Sequence, residues 1–96
     1  MSADGKTYFV LQHDGNLVLY RASEGALWAS NTMGKAATSL IMQSDGNLVL
    51  YTENHSPVWA SNTLGGQSSI LRVQNDGNVV IYRDGKAVWA TNTVRP

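Results

Sequence analysis

Three nine-residue phrases hold the side chains best suited to do chemistry. They read QHDGNLVLY from Gln12 to Tyr20, QSDGNLVLY from Gln43 to Tyr51 and QNDGNVVIY from Gln74 to Tyr82. Each sets five residue types at alternate positions. The first set is Gln12, Asp14, Asn16, Val18 and Tyr20, and the second is Gln43, Asp45, Asn47, Val49 and Tyr51. The third is Gln74, Asp76, Asn78, Val80 and Tyr82. Alternate residues of an extended chain share a side. A carboxylate accepts hydrogen bonds, the amides donate and accept, and a phenol does either. Such a set around one aliphatic patch suits a ligand with several adjacent hydroxyls and a small apolar face, as in a hexose. A charged acceptor bonds more strongly than a neutral one. A fixed network also rejects epimers, because the wrong stereochemistry leaves polar groups unpaired.

A plainer reading competes. Asp-Gly-Asn is a good turn, and Val and Tyr are good strand residues. That accounts for everything except the Gln, which neither a turn nor a strand favours. One copy would leave the plain reading ahead; three complete copies favour the ligand.

The elements that must carry these residues are repeats. Gln12, Gln43 and Gln74 are spaced 31 and 31, and Trp28, Trp59 and Trp89 are spaced 31 and 30. Each Trp opens a matching phrase, WASNT, WASNT or WATNT. The boundaries fall at 1–31, 32–62 and 63–96 with no linker between them, so one domain over 1–96 is expected. Short apolar runs flank each Asp-Gly, a strong hairpin signal, and no helical spacing of any length occurs. The fold class is all-β.

Comparison among the copies assigns faces. Phe9/Leu11, Leu40/Met42 and Leu71/Val73 share one parity with Leu17/Leu19, Leu48/Leu50 and Val79/Ile81 across the turn. The other parity holds Val10, Ile41 and Arg72. An Arg is rarely buried, so this second parity faces water together with Gln, Asn, Val and Tyr. The Trp residues either pack as a core near a pseudo-threefold axis or stack on sugar rings. A small chain needs large aromatics in its core, and small Ala and Ser flank each Trp, so the core reading is preferred.

The composition narrows the function. Seven basic and seven acidic residues cancel, with no run of like charge, which argues against nucleic acid or an anionic membrane surface. No apolar run approaches a membrane span, and the start MSADGKTYFV has no secretory pattern. A cytoplasmic protein, export by another route, or a chain already processed are all consistent with that start. There is no Cys, so thiolate chemistry and Cys-based zinc sites are excluded. A glycosidase needs two carboxylates about 5–10 Å apart. Each motif supplies one Asp, and Glu24, Glu53, His13 and His55 have no counterpart in every repeat. Asp-Gly-Asn lacks the further ligands of a calcium loop. Asn54-His55-Ser56 fits a glycosylation acceptor but reads equally as a turn.

The pattern Q-x-D-x-N-x-V-x-Y resembles the mannose-site signature of the bulb-type, or monocot mannose-binding, lectins. It matches at all five positions in all three copies, and W-A-[ST]-N-T supports it. The resemblance implies a type II β-prism, three antiparallel sheets around a pseudo-threefold axis with one sugar site per sheet. It implies that Asp and Asn hold the axial O2 of mannose, Gln reaches O3, Tyr reaches O4 and Val packs on ring carbons. These roles fall on the fifteen residues above, with no metal or other cofactor. The implied partners are mannose and oligomannose glycans. A homodimer formed by exchange of a C-terminal strand, Ala87 to Thr93, is also implied. Familiar plant members carry a disulfide and a leader segment before the first repeat, whereas here Cys is absent and the first repeat begins almost at Met1. A lectin-like antibacterial or protein-interaction module, with sugar binding only a targeting step, is the alternative.

Overall fold

In the computed structural model, which describes residues 1–65 and 69–94, each repeat folds into a three-stranded antiparallel meander. The first sheet is β1 (Thr7–Leu11), β2 (Leu17–Arg21) and β3 (Gly25–Ala29). The second is β4 (Ala37–Met42), β5 (Leu48–Thr52) and β6 (Pro57–Ala60), and the third is β7 (Ser69–Val73), β8 (Val79–Arg83) and β9 (Lys86–Ala90). No helix occurs among the described residues. The three sheets form a type II β-prism, with β1, β4 and β7 approaching one another pairwise.

The expected inner parity is the core. Leu17, Leu19, Leu48, Leu50, Val79 and Ile81 on the three central strands are fully buried. Burying each such side chain contributes about 1.5–3 kcal/mol. Phe9, Leu11 and Leu40 pack against this core from the first strands. The Trp rings meet one another, as the core reading expects. Trp28, Trp59 and Trp89 make three edge-on contacts with centroids 5.5, 5.7 and 5.8 Å apart. Edge-on pairs set positive ring edges against negative faces and add roughly 0.5–1.5 kcal/mol each beyond area burial.

Strict pairing of the second strand with the third fails at one place in each sheet, and the second sheet has a further irregularity at Thr38, between Ala37 and Ser39 of β4. Leu19 pairs with Trp28, but Tyr20 pairs with Ala26, so Leu27 is the extra residue of a bulge. Val58 and Val88 hold the same position. Val58 and Trp59, neighbours in sequence, both pack on the cluster of Leu17, Ala37 and Leu50. The bends also differ from a two-residue hairpin. Gln12 N–H donates to Asn16 C=O at 2.9 Å and Gly15 N–H to Gln12 C=O at 3.0 Å, which makes a three-residue loop. Its last residue, Gly15, has φ +88°, as in a turn that ends in a glycine bulge.

Neighbouring sheets are joined at these bends. Gly34 N–H donates to Asp14 C=O at 2.8 Å and Gly65 N–H to Asp45 C=O at 3.1 Å. The ring closes between the first and third repeats. Asp4 N–H donates to Asn75 Oδ1 at 3.0 Å, and the Arg21 guanidinium donates to Asn75 C=O at 3.0 Å. The Ser2 hydroxyl, followed by the Lys6 backbone N–H, holds the Asp4 carboxyl below the usual carboxylate range. The stability that this carboxylate adds to the N-terminal turn is present above the ordinary Asp pKa and is lost as pH falls through the lowered one. Arg83 donates to Thr63 C=O and joins the third repeat to the second. Ala87 to Thr93, the segment expected to exchange between subunits, begins within β9, which pairs with β8 of its own chain.

Removing one ring from the Trp triad opens a cavity that two partners line. Trp59→Ala is expected to lower stability by roughly 3–5 kcal/mol in urea unfolding. Met33→Ala, on an exposed side chain, should stay within about 0.5 kcal/mol. Comparable losses in the two variants would contradict this account of the core.

Candidate functional site

The bend positions three of the five motif groups. Asp14 Oδ1 accepts the backbone N–H of Asn16 at 2.9 Å, the local bond that makes Asp favourable in turns. Asp45 and Asp76 do the same for Asn47 and Asn78, each at 3.0 Å. All three Asp side chains are exposed. The second oxygen of Asp14 and of Asp76 meets no donor among the described residues. Gly15 is held tightly from behind: a Cβ there would lie 3.2 Å from Ala36 N, Ala37 N and Thr32 O.

The Asn divides its amide between structure and surface. Asn16 Oδ1 accepts the Ser30 hydroxyl and the Thr32 backbone N–H, both at 3.2 Å. Asn47 meets Ser61 and Thr63 at 3.3 and 3.2 Å, and Asn78 meets Thr91 and Thr93 at 3.0 and 3.2 Å. A backbone N–H can only donate, so the amide oxygen must face inward. No fully buried side-chain N or O lacks a partner among the described residues, so the unbonded amide nitrogens keep contact with solvent. Each site therefore gains an outward N–H donor.

Gln and Tyr form a bridge. Gln12 bonds Tyr20, Gln43 bonds Tyr51, and Gln74 Nε2 donates to the Tyr82 hydroxyl at 2.6 Å. Turning the Gln43 amide lets its nitrogen donate to the Asp45 oxygens at 3.2 and 3.3 Å while its oxygen accepts from Tyr51. Gln then links the acid to the phenol across the face.

The valines depart from the expectation of a wet patch. Val18, Val49 and Val80 lie on the outer face but are only 4 %, 4 % and 3 % exposed. Asn16 and Asn78 are nearly as buried. The register explains this. Val18 sits on a central strand opposite Val10, and Tyr20, two residues along, reaches back to Gln12. The Gln–Tyr bridge thus spans the row that holds the valine. The outer face is a shallow cup with a covered aliphatic floor and polar walls.

Sequence reasoning used W-A-[ST]-N-T as a repeat marker and missed its role at the site. Besides clamping the Asn, Thr32, Thr63 and Thr93 each donate a hydroxyl at 2.6 Å to the carbonyl of Gly15, Gly46 or Gly77. The Asn between the hydroxyl residues, Asn31, Asn62 or Asn92, has φ 60°, 59° or 58°, a left-handed turn that Asn tolerates. The fixed spacing of this phrase from Asp-Gly-Asn was the available signal.

The three cups share their motif and differ at the rim. Tyr8 and Val10 border the first, Ser39 and Ile41 the second, Ile70 and Arg72 the third. His55 lies against Tyr51 at 5.6 Å between centroids. No group of three or more His, Asp or Glu placed to hold a metal occurs among the described residues.

Solved structures with the same architecture are close in sequence. A lectin from Marasmius oreades is 41 % identical, with TM-score 0.88, over 97 % of this chain and 78 % of its own. Monomeric monocot mannose-binding lectins from Gastrodia elata are 46 % identical, with TM-score 0.86, over 96 % and 84 %. The mannose-specific agglutinin of snowdrop, Galanthus nivalis, solved with methyl-α-D-mannoside, is 44 % identical with TM-score 0.75, again over 96 % and 84 %. No protein-family profile and no curated protein matches.

The clamp makes the Asn a structural residue as well as a surface one. Asn47→Ala removes an acceptor from Thr63 N–H and Ser61, and should lower stability by about 1–3 kcal/mol. Chemical denaturation of the variant measures this. An unchanged midpoint would mean that the clamp is dispensable.

Proposed function

The chain belongs to the bulb-type, monocot mannose-binding lectin family, and from that premise we propose that it binds α-mannose-containing glycans through three shallow sites, one per sheet, without a metal ion and without catalysing a reaction. One observation carries the reading. In every repeat an exposed carboxylate, an outward amide N–H and a bridged Gln–Tyr pair gather over a covered valine.

In each site Asp and the Asn amide nitrogen hold the axial O2 of mannose. Gln reaches O3, Tyr reaches O4, and Val lies under the ring carbons. The internal bonds support these roles by fixing the groups before the sugar arrives, so little ordering entropy is lost on binding. The Asp oxygens accept, which complements sugar hydroxyls as donors. A bridged Tyr hydroxyl has lone pairs to spare, and a bridged Gln keeps its second polar atom.

A cup this shallow should hold one monosaccharide with a Kd of roughly millimolar order. Three linked sites raise avidity by ~10²–10⁴ when their spacing suits the target. Exchange of Ala87 to Thr93 between two chains would give a homodimer with six sites. The likeness to lectins that are monomeric favours three sites on a single chain.

Replacing Asp14, Asp45 and Asp76 together by Asn preserves a side-chain oxygen for each turn but removes the charged acceptor. The triple variant should keep its circular dichroism and lose binding to immobilised mannan. The wild-type protein should bind mannan in the presence of a chelator and release it to free methyl α-mannoside. Mannan binding that survives the triple substitution would sink the proposal. Light scattering is expected to give the monomer mass, and twice that value would restore the homodimer.

A further inference from the structure

At one rim position the third site carries a positive charge that the other two lack. At the rim position beside the site valine, the first sheet has Val10 opposite Val18 and the second has Ile41 opposite Val49. The third has Arg72 opposite Val80. Val10 and Ile41 offer no hydrogen-bond donor. A guanidinium offers five in a planar fork that matches a carboxylate or phosphate.

Arg72 is exposed, and among the described residues no hydrogen bond or ion pair occupies its guanidinium. Contrast Arg21, which engages Thr7, Asn75 and Glu24, and Arg83, which engages Ser69, Gly46 and Thr63. Those two are spent on the seams between repeats, whereas Arg72 has no such use. It lines two open depressions on either side of the Gln74–Tyr82 bridge. One, of about 550 Å³, continues to Asp76, and the other, of about 330 Å³, continues to Ile70 and Asp84. The free cation therefore stands directly at the groups assigned to the sugar.

We propose that the third site prefers a saccharide carrying an acidic group, a carboxylate or a phosphate ester, with Arg72 as the residue that selects it. This rests on the sugar-binding reading of the three cups. If Asp76, Asn78, Gln74 and Tyr82 take O2, O3 and O4, the ring positions left to carry the group are C1 and C6. Asp84 borders the same depression and opposes an anion there, so it limits the preference and its removal strengthens it.

The test is an amide NMR titration of the whole chain, with Gly15, Gly46 and Gly77 reporting the three sites separately. The probes are methyl α-mannoside, mannose 6-phosphate, methyl α-mannosiduronic acid and inorganic phosphate. Gly77 should respond to at least one acidic sugar with roughly tenfold higher affinity than to the neutral one, as expected of a charge-assisted pair. Gly15 and Gly46 should show no such ratio. The preference should shrink as ionic strength rises, because the pair is exposed.

Arg72→Val copies the first repeat and should bring the third site's ratio down to the first site's. Asp84→Ala should raise it. Whether the phosphate or the carboxylate sugar gives the larger ratio identifies the acidic group. A ratio of one at Gly77, a ratio unchanged in Arg72→Val, or inorganic phosphate binding as tightly as the acidic sugars would each overturn the inference. Loss of all response to methyl α-mannoside at all three glycines would instead overturn the sugar-binding reading beneath it.

Discussion

The inward-turned amide oxygen of Asn16, Asn47 and Asn78 couples every level of this molecule. It accepts a backbone N–H and a hydroxyl from the segment that leaves the third strand of the same sheet. In the first two repeats that segment is also what crosses to the next sheet, and Gly34 and Gly65 bond back to the same bends. The oxygen is largely shielded, so leaving its partners unpaired would carry the full desolvation penalty of a polar group. One contact thus orders a bend, aims an N–H at solvent and starts the next repeat.

Repetition lets a chain with no Cys close a small core. Each sheet alone would leave its apolar face in water and forgo the stabilisation that burying it supplies. Three faces turned toward one another bury Leu17, Leu48 and Val79 completely, and three rings fill the space between them. The seams are less symmetric than the sheets. Arg21 and Arg83 close two of them, while Thr52 holds the equivalent position in the second repeat. The second and first repeats instead remain joined by continuous chain through Thr32, Gly34 and Ala37.

The same division applies to the outer faces. Their five-residue pattern is constant because it both builds the cup and presents polar groups. Rim positions such as Tyr8, Ser39 and Ile70 are exposed or half-buried and take no part in the clamp, so they are free to differ. Differences in chemistry between otherwise similar sites therefore fall on the first strand of each sheet and on the turn before its third strand, where His55 and Asp84 lie.

By itself the sequence determined the three units, their strands, the inner parity and the five groups of each cup. These follow from period-two patterning and exact repetition, both local properties of the chain. The resemblance carried by Q-x-D-x-N-x-V-x-Y pointed to the prism and to its family. Only the tertiary structure decided which end of each Asn amide faces out, because the deciding donors lie 14 to 16 residues away in the first two repeats. It also covered the valines, since the Gln–Tyr bridge that spans them joins different strands. The bulge that lets the consecutive residues Val58 and Trp59 both pack on the core is another such decision. Alternation along one strand cannot reveal it, because a bulge is defined by the partner strand's register.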